Sequence, residues 1–231
     1  MTNREPHVAG RRRFLHGAAF AGAAVLTPTL AAEAKKQSRL EPKSSDKSGA
    51  LTADEVRELL KLEPNATCGF VRETFVSKLS IAAGGLPAPF ADGRPLGSAL
   101  YFMVTPNAPV RLHRIRNDQL YHYYLGDPIE LFLLHGDGTT ERIIVGPDIR
   151  AGQRVQLLIP GNTFHTARLL HSGHSSWFLG ASTEWPGVVV SSDVEIGNLD
   201  KLAAQYPTLA ADMRAIAASA KYVPPNPAAP R

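Results

Sequence analysis

"HRIRNDQLYHYYLGD", His113 to Asp127, places two histidines, three tyrosines and a glutamine in a segment whose remaining texture is that of a β-strand. A strand built only for packing fills such places with Val, Ile and Leu. Side chains on a regular strand alternate between faces, so Gln119, Tyr121 and Tyr123 share one face while His122 points to the other. The polar row therefore reads as one wall of a binding site rather than as plain core.

The neighbouring sequence has the same short-strand texture. "SALYFMVT", "PVRLHRI", "IELFLLH", "TERIIVG", "RVQLLIP", "HTARLL" and "SSWFLGAST" are brief runs rich in β-branched and aromatic residues, with turn signals between them. "HGDGT" reads as a tight hairpin, its Asp137-Gly138 pair suited to positive φ. Strands in this number without an intervening helix predict an all-β antiparallel sandwich or barrel. Upstream, "LTADEVRELLKLEPN" predicts a helix. Thr52 is its N-cap, Glu55 the capping-box partner, Val56, Leu59 and Leu60 the apolar face, and Pro64 the stop. "AAGGLPAPFADGRPLG" is a long surface loop. Downstream, "NLDKLAAQYP" closes the domain as an amphipathic helix, "LAADMRAIAASAKY" is a further helical segment, and "VPPNPAAPR" is a disordered tail.

A chain of 231 residues fits one domain with appendages at its ends. Its formal charge is +4, but Arg4, Arg11, Arg12 and Arg13 against Glu5 and Glu33 put +2 of that in the first 34 residues. No basic face is left elsewhere to suit nucleic acid. "GRRRFLHG", then the small-residue run "GAAFAGAAVLTPTLAA" and "AEA", resembles a twin-arginine export signal, although Gly10 stands where that pattern has a polar residue. The apolar run is too short and too rich in Ala and Gly for a membrane span. Residues 1–34 are thus expected to be a signal peptide, 35–50 a polar linker, 51–207 the domain, and 208–231 a C-terminal helix and tail. Export to the periplasm or medium follows from that reading. Twin-arginine systems carry folded, often cofactor-loaded proteins, which raises the expectation of a metal. Cys68 is the only cysteine, so no internal disulfide can form, and it reads as buried and inert.

His113 followed by "QLYHYYLG", with six residues between Gln119 and Gly126, looks like the first motif of the cupins. "IPGNTFH", with His165 five residues after Pro160, looks like the second. "GFVRETF", "YFMVT", "WFLGASTEWPG" and "DKLAAQYP" follow the order of one cupin subfamily known as a domain of unknown function, over about residues 51–207. The resemblance implies a double-stranded β-helix, a jelly-roll barrel similar to sugar-nucleotide epimerases, with short flanking helices and a homodimer. Two departures stand out: Gln119 replaces the usual Glu, and Thr67 and Cys68 replace Glu and Gly.

Three chemistries are open. A divalent metal would draw on His113, His165 and Gln119, but an amide oxygen brings no charge to offset a dication, so such binding is expected to be weak. Metal-free acid–base catalysis would use His113 with Tyr121 or Tyr123 across a sugar ring, and Asp118 to orient the imidazole. Binding alone would use Gln119, His122, His165 and the tyrosines, with Arg72 gripping a carboxylate or phosphate, unless Arg72 pairs with Glu73 or Glu130 instead. The corresponding functions are an isomerase, epimerase or lyase acting on a sugar or small organic acid, and a non-catalytic carbohydrate- or small-acid-binding protein of the cell envelope. His171 and His174 in "HSGHSS" sit in a Gly/Ser turn and read as solvent-exposed. Neither a G-x-S-x-G elbow nor a phosphate loop is present, which removes the common hydrolases and nucleotide-dependent transferases.

Overall fold

The computed structural model describes residues 50–221 apart from Ser172 and His174. The expected signal, nearly all of the linker, the tail from 222 onward and His174 of the Gly/Ser turn lie outside those residues.

Helix α1 (Ala53–Leu60) leads into β1 (Glu63–Pro64), β2 (Phe70–Val76), a small ladder of β3 (Ser80–Ile81) with β4 (Arg94–Pro95), and β5 (Ser98–Val104). Next come β6 (Val110–Ile115), β7 (Gln119–Gly126), β8 (Ile129–Leu134), β9 (Thr140–Val145), β10 (Gln156–Ile159), β11 (Phe164–Leu169) and β12 (Phe178–Glu184). Helix α2 (Val190–Asp193), β13 (Val194–Ile196), α3 (Leu199–Gln205) and α4 (Ala210–Ser219) complete the order. Two antiparallel sheets result, β1-β2-β5-β12-β7-β10 and β13-β6-β11-β8-β9. The all-β antiparallel fold expected from the strand pattern is present, in the jelly-roll form that the resemblance implies. No helix among the described residues is long and apolar enough to cross a membrane.

Alternation explains how the layers close. On β8 all six residues are buried, yet they serve two cores. Ile129, Leu131 and Leu133 face the barrel interior with Phe102, Tyr121 and Phe178, whereas Phe132 and Leu134 face outward beneath Leu202, Met213 and Ile216 of α3 and α4. Both strand faces are thus buried, because helices cover much of the outer one. Each fully buried Leu, Ile or Phe there contributes about 1.5–3 kcal/mol relative to exposure. A third cluster joins Val56 of α1 and Leu62 to Met103 and Leu179 on the outside of the other sheet.

Local signals act as expected, with two adjustments. Thr52 Oγ1 accepts from the Glu55 amide at 3.2 Å and Glu55 Oε2 accepts from the Thr52 amide at 2.9 Å, so the capping box is formed. The helix ends on Lys61 in the left-handed region (φ 52°), before Pro64 is reached. Leu59, expected on the packed face, is 68% exposed, because Val56 alone of α1 is buried. In the hairpin, Gly138 takes φ +88° and the His135 amide donates to the Thr139 carbonyl at 2.9 Å.

Candidate functional site

Strand pairing brings the two motif histidines together. His165 on β11 stands directly opposite His113 on β6, and their rings lie 4.2 Å apart inside the barrel. His113 Nδ1 lies 2.7 Å from the Arg111 carbonyl, which can only accept, so Nδ1 carries the proton and Nε2 the lone pair. His165 likewise turns Nδ1 to the Thr163 carbonyl at 3.3 Å. Its Nε2 must then accept, and the Tyr121 hydroxyl donates to it at 3.1 Å. Burial holds both imidazoles neutral: His113 falls from 6.5 to about 4, and His165, next to His113, falls well below the ordinary value. Burial, helped by Cys68, pushes Tyr121 well above 10. Burial also raises the Cys68 thiol, which lies 3.7 Å from the Tyr121 oxygen, so it is an inert member of this cluster.

Beside the histidines opens a cavity of about 130 Å³. Leu100, Ile115, Val188 and Val194 give it apolar walls, while His113, Gln119, Ser182 and Glu184 are its buried polar groups. Thr67 and Cys68 also line it, at the places where the resemblance expects Glu and Gly. Glu184 is only 2% exposed. Ser98 Oγ donates to its Oε2 at 2.7 Å, Ser182 Oγ donates to its Oε1, and burial raises its pKa. Gln119 Nε2 donates to Ser182 Oγ at 3.2 Å. Sequence reasoning passed over Glu184, yet "FLGASTE" carried a signal. Phe178, Gly180, Ser182 and Glu184 share one strand face, so a charge falls in phase with a core aromatic. A larger groove of about 620 Å³, lined by Arg57, Phe70 and Lys221, holds none of these residues.

The other expected site residues go elsewhere. His122 points out of the barrel, as alternation requires, and its Nε2 meets Thr183 Oγ1 at 3.0 Å; it is not a cavity ligand. Tyr123 packs its ring against Phe178 and donates its hydroxyl to the Gly126 carbonyl at 2.7 Å. Tyr121 is at the cluster, but its proton is held by His165, so it does not face His113 as an acid across a ligand. Arg72 is exposed and donates to the Leu60 carbonyl at 3.2 Å, because Val71 and Glu73 take the cavity side of β2. Glu130 is satisfied by Arg142 and Arg168 instead. Asp118 accepts from the Gly161 amide at 2.7 Å, so it fixes the turn after Pro160 rather than an imidazole.

The donor set does not fit a divalent ion. Of His113, His165 and Gln119, only His113 keeps a ring lone pair without a partner. His165 Nε2 is taken by Tyr121, and Gln119, whose Nε2 is bonded to Ser182, has only a neutral amide oxygen to offer a dication. No three His, Cys, Asp or Glu side chains among the described residues are grouped to hold a metal.

Solved structures share this fold. A protein from Shewanella oneidensis matches with 23% identity and a TM-score of 0.62, over 72% of this chain and 98% of its own. A hypothetical protein from Leishmania major matches with 24% identity and a TM-score of 0.63, over 74% of this chain and 100% of its own. No curated protein matches the sequence. The family described as Cupin superfamily (DUF985) matches residues 54–194, which span both histidine strands, the Glu184 strand and the cavity between them, and this chain belongs to that family.

Proposed function

We propose that this chain is an exported cupin that binds a compact small molecule in its barrel cavity without transforming it. The observation that carries this reading is the state of the histidine cluster. General bases work best with a pKa near the working pH, and His113 at about 4 is far weaker than a free imidazole. Tyr121, the matching acid, is closed onto His165. The cavity volume of about 130 Å³ is close to the roughly 150 Å³ that holds a benzene-sized molecule, so a hexose would stand partly outside it.

One observation favours a second reading, a proton-transferring isomerase, epimerase or lyase. Glu184 is a buried carboxylate in the cavity with a raised pKa, the environment in which general bases are tuned. Incubating trioses, pentoses and short hydroxy acids with the protein in heavy water separates the two. We expect no deuterium at carbon. Wash-in that Glu184→Gln abolishes would establish the enzyme reading in place of binding.

Export rests on the arginine pair and small-residue run of the first 34 residues. Pairing into a homodimer is supported by Phe75, Leu79, Leu96 and Trp185, large apolar side chains each about half exposed or more near the end of β2 and the start of β5. Cell fractionation followed by light scattering reads both. Arg11→Lys with Arg12→Lys is expected to strand the protein in the cytoplasm, and the exported wild type is expected at twice the chain mass. An exported double variant counts against the signal, and a monomer mass counts against pairing.

A further inference from the structure

The proposal that follows rests on the cavity being the ligand site and concerns what chemistry it selects. Every buried polar group there spends its donors on the protein. His113 gives its Nδ1 proton to Arg111, and among the described residues its Nε2 has no partner. Gln119 gives one amide proton to Ser182 and is also hydrogen-bonded to Glu184, which leaves Oε1 as an acceptor. Both serine hydroxyls next to Glu184 donate to its carboxylate. What remains for a ligand is a set of lone pairs: the carboxylate of Glu184, the amide oxygen of Gln119 and the ring nitrogen of His113.

Charge points the same way. Glu73 lies at the mouth in addition to Glu184 within, and among the described residues no Lys or Arg lines the cavity. An entering carboxylate or phosphate would meet a buried negative charge with no cation to offset its own lost hydration. An entering ammonium would meet a counter-charge and three acceptors, the number of its N–H donors. His113 stays neutral when buried, so it does not repel a cation. Apolar walls from Leu100, Ile115, Val188 and Val194 leave room only for a short aliphatic body.

We infer that the cavity is a site for a small primary ammonium compound with a compact apolar body, held by Glu184, Gln119 and His113. The small organic acids left open by the sequence are the class it rejects.

Isobutylamine, isobutanol and isobutyrate share a carbon skeleton and differ in head-group charge. Isothermal titration of each into the purified full chain near neutral pH is expected to show the amine binding roughly tenfold or more tighter than the acid, a difference of about 1.4 kcal/mol or more. The alcohol should fall between them. Glu184→Gln should abolish the preference for the amine over the alcohol. Isobutyrate binding as tightly as the amine, alcohol binding equal to the amine, or a preference that survives Glu184→Gln would each overturn the assignment and leave the cavity reading intact. Failure of all three compounds to bind would remove the cavity as a ligand site, and the assignment with it. The ranking on unmodified protein needs no variant to fold.

Discussion

Arg94→Met is expected to lower unfolding free energy by about 3 kcal/mol, near the lower end of what an orphaned buried charge costs. Arg94 and Asp193 are a fully buried ion pair, the guanidinium donating from Nη1 to Asp193 Oδ2 at 2.9 Å. Methionine fills much of the volume and supplies no charge, so the carboxylate of Asp193 loses its nearest cation. Its remaining contacts soften the loss: the Val189 amide donates to Oδ2 at 2.7 Å, and Arg116 Nε lies 3.7 Å from Oδ1. Urea unfolding of both proteins measures the difference. A loss below about 1 kcal/mol would mean the pair behaves as a surface salt bridge, contrary to its burial.

The same ion pair ties the fold to the site. Asp193 ends α2, between Val190 and Val194, and with Val188 these form one side of the cavity. Arg94 comes from the far end of the long loop after β3, so the pair pins that loop and the cavity rim to each other. Hydrogen exchange across 186–194 should therefore speed up in Arg94→Met more than exchange in β8, which lies between two cores. Uniform acceleration would show that the pair holds the whole domain rather than the rim.

The residues that sequence pattern could and could not place differ in the range of the information needed. Strand runs are local, and each quoted run from "SALYFMVT" to "SSWFLGAST" is a strand, since alternation and turn chemistry act within a few residues. The histidine pair was legible through the resemblance, which implies two motif strands that a jelly roll brings side by side, and the register sets His165 opposite His113. Arg72 was not legible, because alternation in "VRET" gives parity without saying which parity faces inward. Val71 and Glu73 took the cavity side, and a register shift between Glu73 and Phe75 further breaks the pattern. Tyr121 faces inward as expected, but which histidine its hydroxyl would find is a contact across the barrel that no spacing encodes. Glu184 was missed for a different reason. Its phase on β12 is readable, but it is the last residue of that strand, where alternation alone does not separate a buried carboxylate from a solvated one.

Acidification from pH 6.5 to about 4 should remove about 3 kcal/mol of stability through His113 alone. The unfolded imidazole titrates at its ordinary 6.5, and the buried one at about 4 because burial penalises its charged form. Between those values the unfolded chain binds more protons than the native one, so stability is complete above 6.5 and falls as pH falls through the window. About 2.5 pH units at roughly 1.36 kcal/mol each give the stated size. His165 is depressed in the same direction, by burial and by His113, and steepens the loss. Glu184 works against it: its folded pKa is raised, so its ionisation costs stability as pH rises, and part of that is recovered on acidification. The comparison that isolates His113 is therefore with His113→Asn, whose amide nitrogen can still donate to the Arg111 carbonyl from near the Nδ1 position. Urea midpoints of wild type and variant should converge as pH falls from 6.5 to 4, the variant lacking that proton-binding step. Parallel curves across the window would show that His113 is already charged in the folded protein, and the neutral acceptor assigned to it in the cavity would go with that result.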